Sequence, residues 1–233
     1  MKFKYEIVIY VMLLAAVCAS GSEKNYPDAL LKHEQAANLL DRKTVTLSGA
    51  GTEAVSFEVV HRIVESEHVL AALQLAYDTM LPDGETPAFV ITAKEDNLSL
   101  YVNSDDESTT IEELFKTSDD ASASLYLFMQ GDRFFGSFEA VAIIRAQAID
   151  TENMKWQIKV HAWPKNRLSR LIARTGIVNR YFRAQTSEIT SLMLMIGRHM
   201  HRRDLQAAER EQADHQLHAR LDPRNAEPHT ANH

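Results

Sequence analysis

Cysteine is almost missing from this chain. Its 233 residues include one, Cys18. No disulfide framework is therefore expected, and beyond the N-terminal stretch there is no thiol nucleophile or thiolate metal ligand. Glycine and proline are also scarce, at eight and six residues, which excludes collagen-like and linker-like classes. No repeat of fixed period is visible. The catalytic signatures are missing too: no Gly-x-Ser-x-Gly elbow, no glycine-rich phosphate loop and no His-Glu-x-x-His. His33-Glu34 begins the last of these, but Ala37 stands where its second histidine belongs. No catalytic residue and no cofactor are assigned on this basis.

What is present begins at the N-terminus. Lys2 and Lys4 precede an uncharged apolar run from Ile7 to Val17, followed by Ala19, Ser20, Gly21 and Ser22. That is the order of a secretory signal peptide, and the run is shorter than the roughly 20 residues a membrane span needs. Residues 1–21 are read as a signal peptide, with cleavage after Ala19 or Gly21, and the protein as exported. Ala15-Ala16-Val17-Cys18 also resembles the lipobox of bacterial lipoproteins, which makes Cys18 a lipidation candidate. Val17 departs from that pattern, where a small residue is the rule.

Hydrophobic residues make up 45% of the chain, enough for one sizeable core, and residues 22–203 are read as a single domain. Pro27 suits the first turn of a helix reaching Leu40. Thr44 to Leu47 reads as a short strand ended by Ser48-Gly49-Ala50-Gly51, and Val55 to Ile63 fits strand or helix. Ser66 is the expected N-cap of a helix whose stripe is Val69, Leu73, Ala76 and Met80. Ala88 to Thr92 and Leu98 to Val102 read as strands. Thr110 with Glu113 has the spacing of a capping box for a short helix through Lys116.

The clearest strands are central. Phe138, Ala140, Ala142, Ile144, Ala146 and Ala148 alternate with Ser137, Glu139, Val141, Ile143, Arg145 and Gln147. Beyond a polar turn at Asp150–Asn153, Trp156, Ile158, Val160 and Ala162 alternate with Gln157, Lys159 and His161. Strict period two on both sides of a turn predicts a hairpin. Its register sets His161 opposite about Ile143, which keeps Glu139 roughly 13 Å away. The alanine-rich face leaves room for a closely packed helix. The stripe Ile189, Leu192, Met193, Ile196 and Met200 supplies one. The expected class is α+β: an antiparallel sheet packed on a long C-terminal amphipathic helix, in a helix-grip-like arrangement, with additional short helices. Residues 204–233 read as a polar tail, helical and then disordered.

Charge is unevenly placed along a chain of net charge −7. Between Lys94 and Asp120 acids dominate; between Lys165 and Arg203 the bases stand against Glu188 alone. Arg167, Arg170 and Arg174 fall on one side of a short helix capped by Asn166. Trp163 and Tyr181 flank it, with Arg180 and Arg183. A basic amphipathic helix with aromatic neighbours can rest on an anionic membrane surface. The same spacing also serves a core-packed helix with a solvated arginine face. Nucleic acid is not an expected partner of an acidic, exported chain. His199 and His201 lie about 200° apart on a helix, and no carboxylate or cysteine completes a set with His215 and His218, so no metal is expected. The expected function is non-enzymatic binding of an apolar or lipid-like ligand or of a membrane surface. A module docking an envelope protein partner is the alternative, and a hydrolase without a recognisable motif the second alternative.

Overall fold

The computed structural model describes residues 26–42, 44–95, 97–103, 106–133, 136–167 and 177–221. The elements run α1 (Asp28–Leu31), α2 (Glu34–Asp41), β1 (Val45–Glu53), α3 (Phe57–Glu65), α4 (Val69–Asp78), β2 (Phe89–Glu95), β3 (Leu98–Asn103), β4 (Ser108–Ser118), β5 (Ser122–Arg133), β6 (Gly136–Ala148), β7 (Met154–Pro164) and α5 (Ile177–Leu221). The fold is α+β, with one seven-stranded antiparallel sheet in the order β1-β7-β6-β5-β4-β3-β2. The first strand thus lies beside the last, and β1 and β2 form the two edges.

Period-two alternation in β5 to β7 divides the sheet into two apolar faces. On the inner face Leu125, Leu127, Phe138, Ala140, Ala142, Ile158, Val160 and Ala162 cluster with Val69 and Leu70 of α4. On the outer face Tyr126, Phe128, Val141 and Ile143 cluster with Leu30, Ala36, Leu39 and Leu40 of α1 and α2. Helices therefore cover both faces, where the sequence suggested one. A bulge between Glu113 and Phe115 turns the adjacent Leu114 and Phe115 toward the same outer cluster, which a regular strand cannot do.

On the inner side, Leu194 and Met200 of α5 pack with Val55, Phe57, Ala146 and Met154. One turn of this helix reaches both edges of the sheet. Ile196 is buried with Ala76, Tyr77 and Phe89 of β2, with Tyr101 of β3 against them. Two residues later Arg198 pairs with Glu53 at the end of β1. Arg62 of α3 adds an ion pair to Asp204 at 2.6 Å. Edge β2 is also sealed by α4: the Ile91 N–H donates to Gln74 Oε1 at 2.8 Å, and the Ala88 N–H to the Tyr77 hydroxyl at 2.9 Å.

Several local expectations are corrected. The Thr110–Glu113 segment is strand, not helix, because it pairs with β3 on one side and β5 on the other; long-range pairing overrides a four-residue local signal. β1 does not stop at Leu47 but continues through the glycines to Glu53, paired along its length with β7. Ser66 ends α3, its hydroxyl donating to the Ile63 carbonyl at 2.6 Å, while Ser56 caps that helix by accepting from the Glu58 N–H. The segment Val55 to Ile63 is thus mostly helix, and α4 begins after His68. The helix expected from Pro27 to Leu40 is broken at Lys32–His33, where His33 takes an extended backbone.

Candidate functional site

The segment singled out for its arginines is placed only in part. Arg167, Arg180 and Arg183 are exposed. Arg170 and Arg174, the helix expected after Asn166, the signal stretch and Cys18 lie outside the described residues, as does the side chain of Tyr181. Trp163 belongs to the outer face instead. It packs against the α1–α2 cluster, and the Arg42 guanidinium carbon sits 5.6 Å from its ring centroid. Among the described side chains Trp163 is therefore joined to α2 and its C-terminal cap.

Glu139 and His161, the pair on which an acid–base reading depended, also lie on this outer face. The register pairs His161 with Val141 and Glu139 with Trp163. The two are therefore nearer along the sheet than the sequence suggested, and still each is held by other partners. Glu139 accepts from Lys165 Nζ at 3.0 Å and faces Arg42 at 3.7 Å. His161 is only 5% exposed. Its Nε2 meets the Tyr26 hydroxyl at 3.0 Å and its Nδ1 the Thr46 hydroxyl at 3.1 Å, with Thr44 at 3.4 Å. Lys159 lies 5.9 Å over the Tyr26 ring, and burial raises the Tyr26 phenol above its ordinary value. These contacts dock the N-terminal helices; they do not assemble a catalytic pocket.

Beside this joint lies a polar hollow of about 250 Å³, lined by Ser108, Thr110, Gln130, Gly131, Asp132, Ser137, Phe138 and Lys165. Its charged groups are paired: Ser137 donates to Asp132 at 2.5 Å, and Lys165 is paired with Glu139 outside the hollow. Among the described residues no group of histidines, cysteines and carboxylates could hold a metal ion, and no helix is long and apolar enough to cross a membrane.

The inner face differs in composition. Ala140 and Ala162 are fully buried and Ala142 nearly so, so its centre is made of small side chains. Toward β1 the glycines at 49 and 51 leave a shelf on which the Trp156 ring lies. Two buried polar atoms find no hydrogen-bond partner among the described residues, Trp156 Nε1 and His199 Nε2. Burial first, then the charges of Arg203 and Arg202, hold the His199 imidazole below the usual histidine range, so its neutral form is favoured. Sequence reading missed the Trp156 shelf because it took Ser48-Gly49-Ala50-Gly51 for a turn. The one available signal was the spacing of the two glycines, which puts both on one face of a strand.

No protein-family model matches the chain, and no curated protein matches it. Among solved structures it is similar to a hypothetical protein from Helicobacter pylori, at 7% identity and a TM-score of 0.49, over 78% of this chain and 99% of that one. A conserved protein from Geobacillus kaustophilus is 11% identical with a TM-score of 0.44, over 65% and 91%. Norcoclaurine synthase from Thalictrum flavum, in complex with dopamine and hydroxybenzaldehyde, is 7% identical with a TM-score of 0.44, over 77% and 94%. At these scores none of the three bears on what this chain binds or does.

Proposed function

We propose that this chain is an exported, non-enzymatic binding protein that holds an apolar, lipid-like ligand between the inner face of its sheet and α5, in a helix-grip arrangement. The observation that carries this reading is the single turn of α5 that meets both edges of the sheet, Ile196 beside Phe89 and Arg198 beside Glu53. A sheet whose two edges converge on one helix is the frame of a helix-grip site, and the inner face of this one carries Ala140, Ala142 and Ala162 in its buried cluster, with two glycines on β1. Small residues leave room for a guest. Met193, Met195 and Met200 of α5 are flexible, polarizable side chains that repack around irregular apolar shapes. Ligand uptake then means that α5 yields part of its packing to the guest.

The membrane side of the proposal rests on Arg167, Arg170, Arg174, Arg180 and Arg183 with Tyr181, as a basic surface toward anionic head groups, and on an export signal with Cys18 as the site of an anchor. Mass spectrometry of protein purified under non-denaturing conditions tests the ligand reading. Co-purifying lipid, or lipid taken up again after stripping, is the expected result. A stripped preparation that takes up none overturns it.

A second reading, a module that docks an envelope protein partner, draws on a different observation. α5 runs on for a further 17 residues after Asp204, its last described contact with the body, or roughly 25 Å of helix. Leu205 there is half exposed. Deleting residues 205–233 abolishes partner capture in this reading and leaves lipid uptake unchanged in the first.

A further inference from the structure

The Trp156 indole occupies a place built for it. On β1, Gly51 stands opposite Trp156 and Gly49 opposite Ile158. A Cβ added at Gly51 would lie 3.0 Å from the indole nitrogen and 3.1 Å from Cε2 and Cζ2; one at Gly49 would lie 3.4 Å and 3.5 Å from Cζ3 and Cη2. The ring therefore lies along β1, over the two positions where the strand carries no side chain. Glycine weakens a strand, and here two of them occur in the edge strand that α5 packs against.

That arrangement seats a donor that is not used. Nε1 is buried and has no acceptor among the described residues. Indole N–H only donates, and buried tryptophans normally find an acceptor for it. A phenylalanine would supply an aromatic ring for the same shelf without this cost. The unused donor sits on the inner face, two residues before Ile158 on the same side of β7 and opposite Ala146 of β6.

We propose that the Trp156 N–H is the polar anchor of the ligand site, and that the ligand is an apolar molecule carrying one strong acceptor, a carbonyl or carboxylate, that reaches this end of the inner face. The inference rests on the apolar-ligand reading above and narrows it. An acceptor-bearing guest gains a hydrogen bond in a dry place, whereas a pure hydrocarbon of the same shape leaves the donor unpaired.

The test uses the full-length mature protein with Trp163→Phe, so that Trp156 is the only one of the chain's two tryptophans remaining. The probes are 2-acetylnaphthalene and 2-ethylnaphthalene, alike in shape and differing in one carbonyl. Binding is followed by tryptophan emission, and the indole N–H by its single nitrogen–proton NMR resonance. The ketone is expected to bind more tightly by roughly fivefold to tenfold, one hydrogen bond's worth, and to move the indole proton downfield. In the Trp156→Phe protein, monitored by probe fluorescence, that preference disappears while the hydrocarbon binds as before. If both probes bind equally and the indole resonance stays put, the anchor is wrong and the apolar-ligand reading stands. An indole proton already hydrogen-bonded in the stripped protein, and unmoved by ketone, marks a structural water and likewise overturns the anchor. If neither probe binds, the anchor falls together with the reading it rests on.

Discussion

The two faces of the sheet are made from the same strands and are joined to their helices in opposite ways. The outer face uses large side chains in fixed geometry. Phe115 and Tyr126 stack with centroids 4.0 Å apart, and His33 stacks on Phe115 at 6.5 Å. The one buried histidine there has a hydroxyl at each ring nitrogen. The inner face sets Ala140, Ala142 and Ala162 among Leu125, Leu127, Phe138, Ile158 and Val160, and on that side two buried polar atoms have no partner among the described residues. Aromatic stacks and satisfied hydrogen bonds specify a single arrangement. Small and flexible residues tolerate several. The comparison sets a joint held by stacked rings and satisfied hydrogen bonds, α1–α2 on the outer face, against the one proposed above to yield to a guest, α5 on the inner face.

The largest effect should come from breaking the outer joint. Leu39 is 1% exposed within the outer cluster. Leu39→Ala should cost about 2–5 kcal/mol, read as a lowered midpoint in urea with one cooperative transition. A separate early transition for α1–α2 would show instead that these helices are an appendage. Next is the inner face, probed by filling it. Ala140 is fully buried, and Ala140→Leu should cost roughly 1–3 kcal/mol through overpacking while abolishing uptake of apolar probes. Unchanged uptake in a folded variant would place the ligand elsewhere.

The smallest effect is a pH dependence confined to the inner side. The fold holds the His199 imidazole below its ordinary value, whereas the unfolded chain protonates it near pH 6.5. As pH falls through about 6.5 the unfolded state binds the proton first, so stability is lost toward acid and is unaffected above neutrality. His199→Gln should flatten the melting temperature between pH 7 and 5. An equal slope in both proteins would assign the acid sensitivity to another group.

The parts of this architecture that were legible in the sequence are those in which one strand carries its own pattern. In β6 and β7 the alternation runs without interruption, so face, hairpin and alanine strip could be read directly. Register could not. The turn at Asp150–Asn153 left His161 set against Ile143, where the pairing is with Val141, because spacing alone does not fix which residues face across a loop. β4 was misread because Thr110 and Glu113 satisfy a helix rule locally, while the strands that overrule it are supplied from elsewhere in the chain. β1 was cut short because two glycines look like punctuation until Trp156, more than a hundred residues away, is laid on them. The covering of the outer face by α1 and α2 was hidden for the same reason. Val141 and Ile143 show that their side of the strand is apolar without saying what covers it.

The sealing of β2 by Gln74 and Tyr77 has a consequence for assembly. An edge strand with free amides invites another copy to add to it and to propagate into aggregates. Here the Ile91 amide of β2 and the Ala88 amide just before the strand are occupied by α4, and Arg198 of α5 is fastened to Glu53 on the opposite edge. Strand addition along β2 is thereby obstructed.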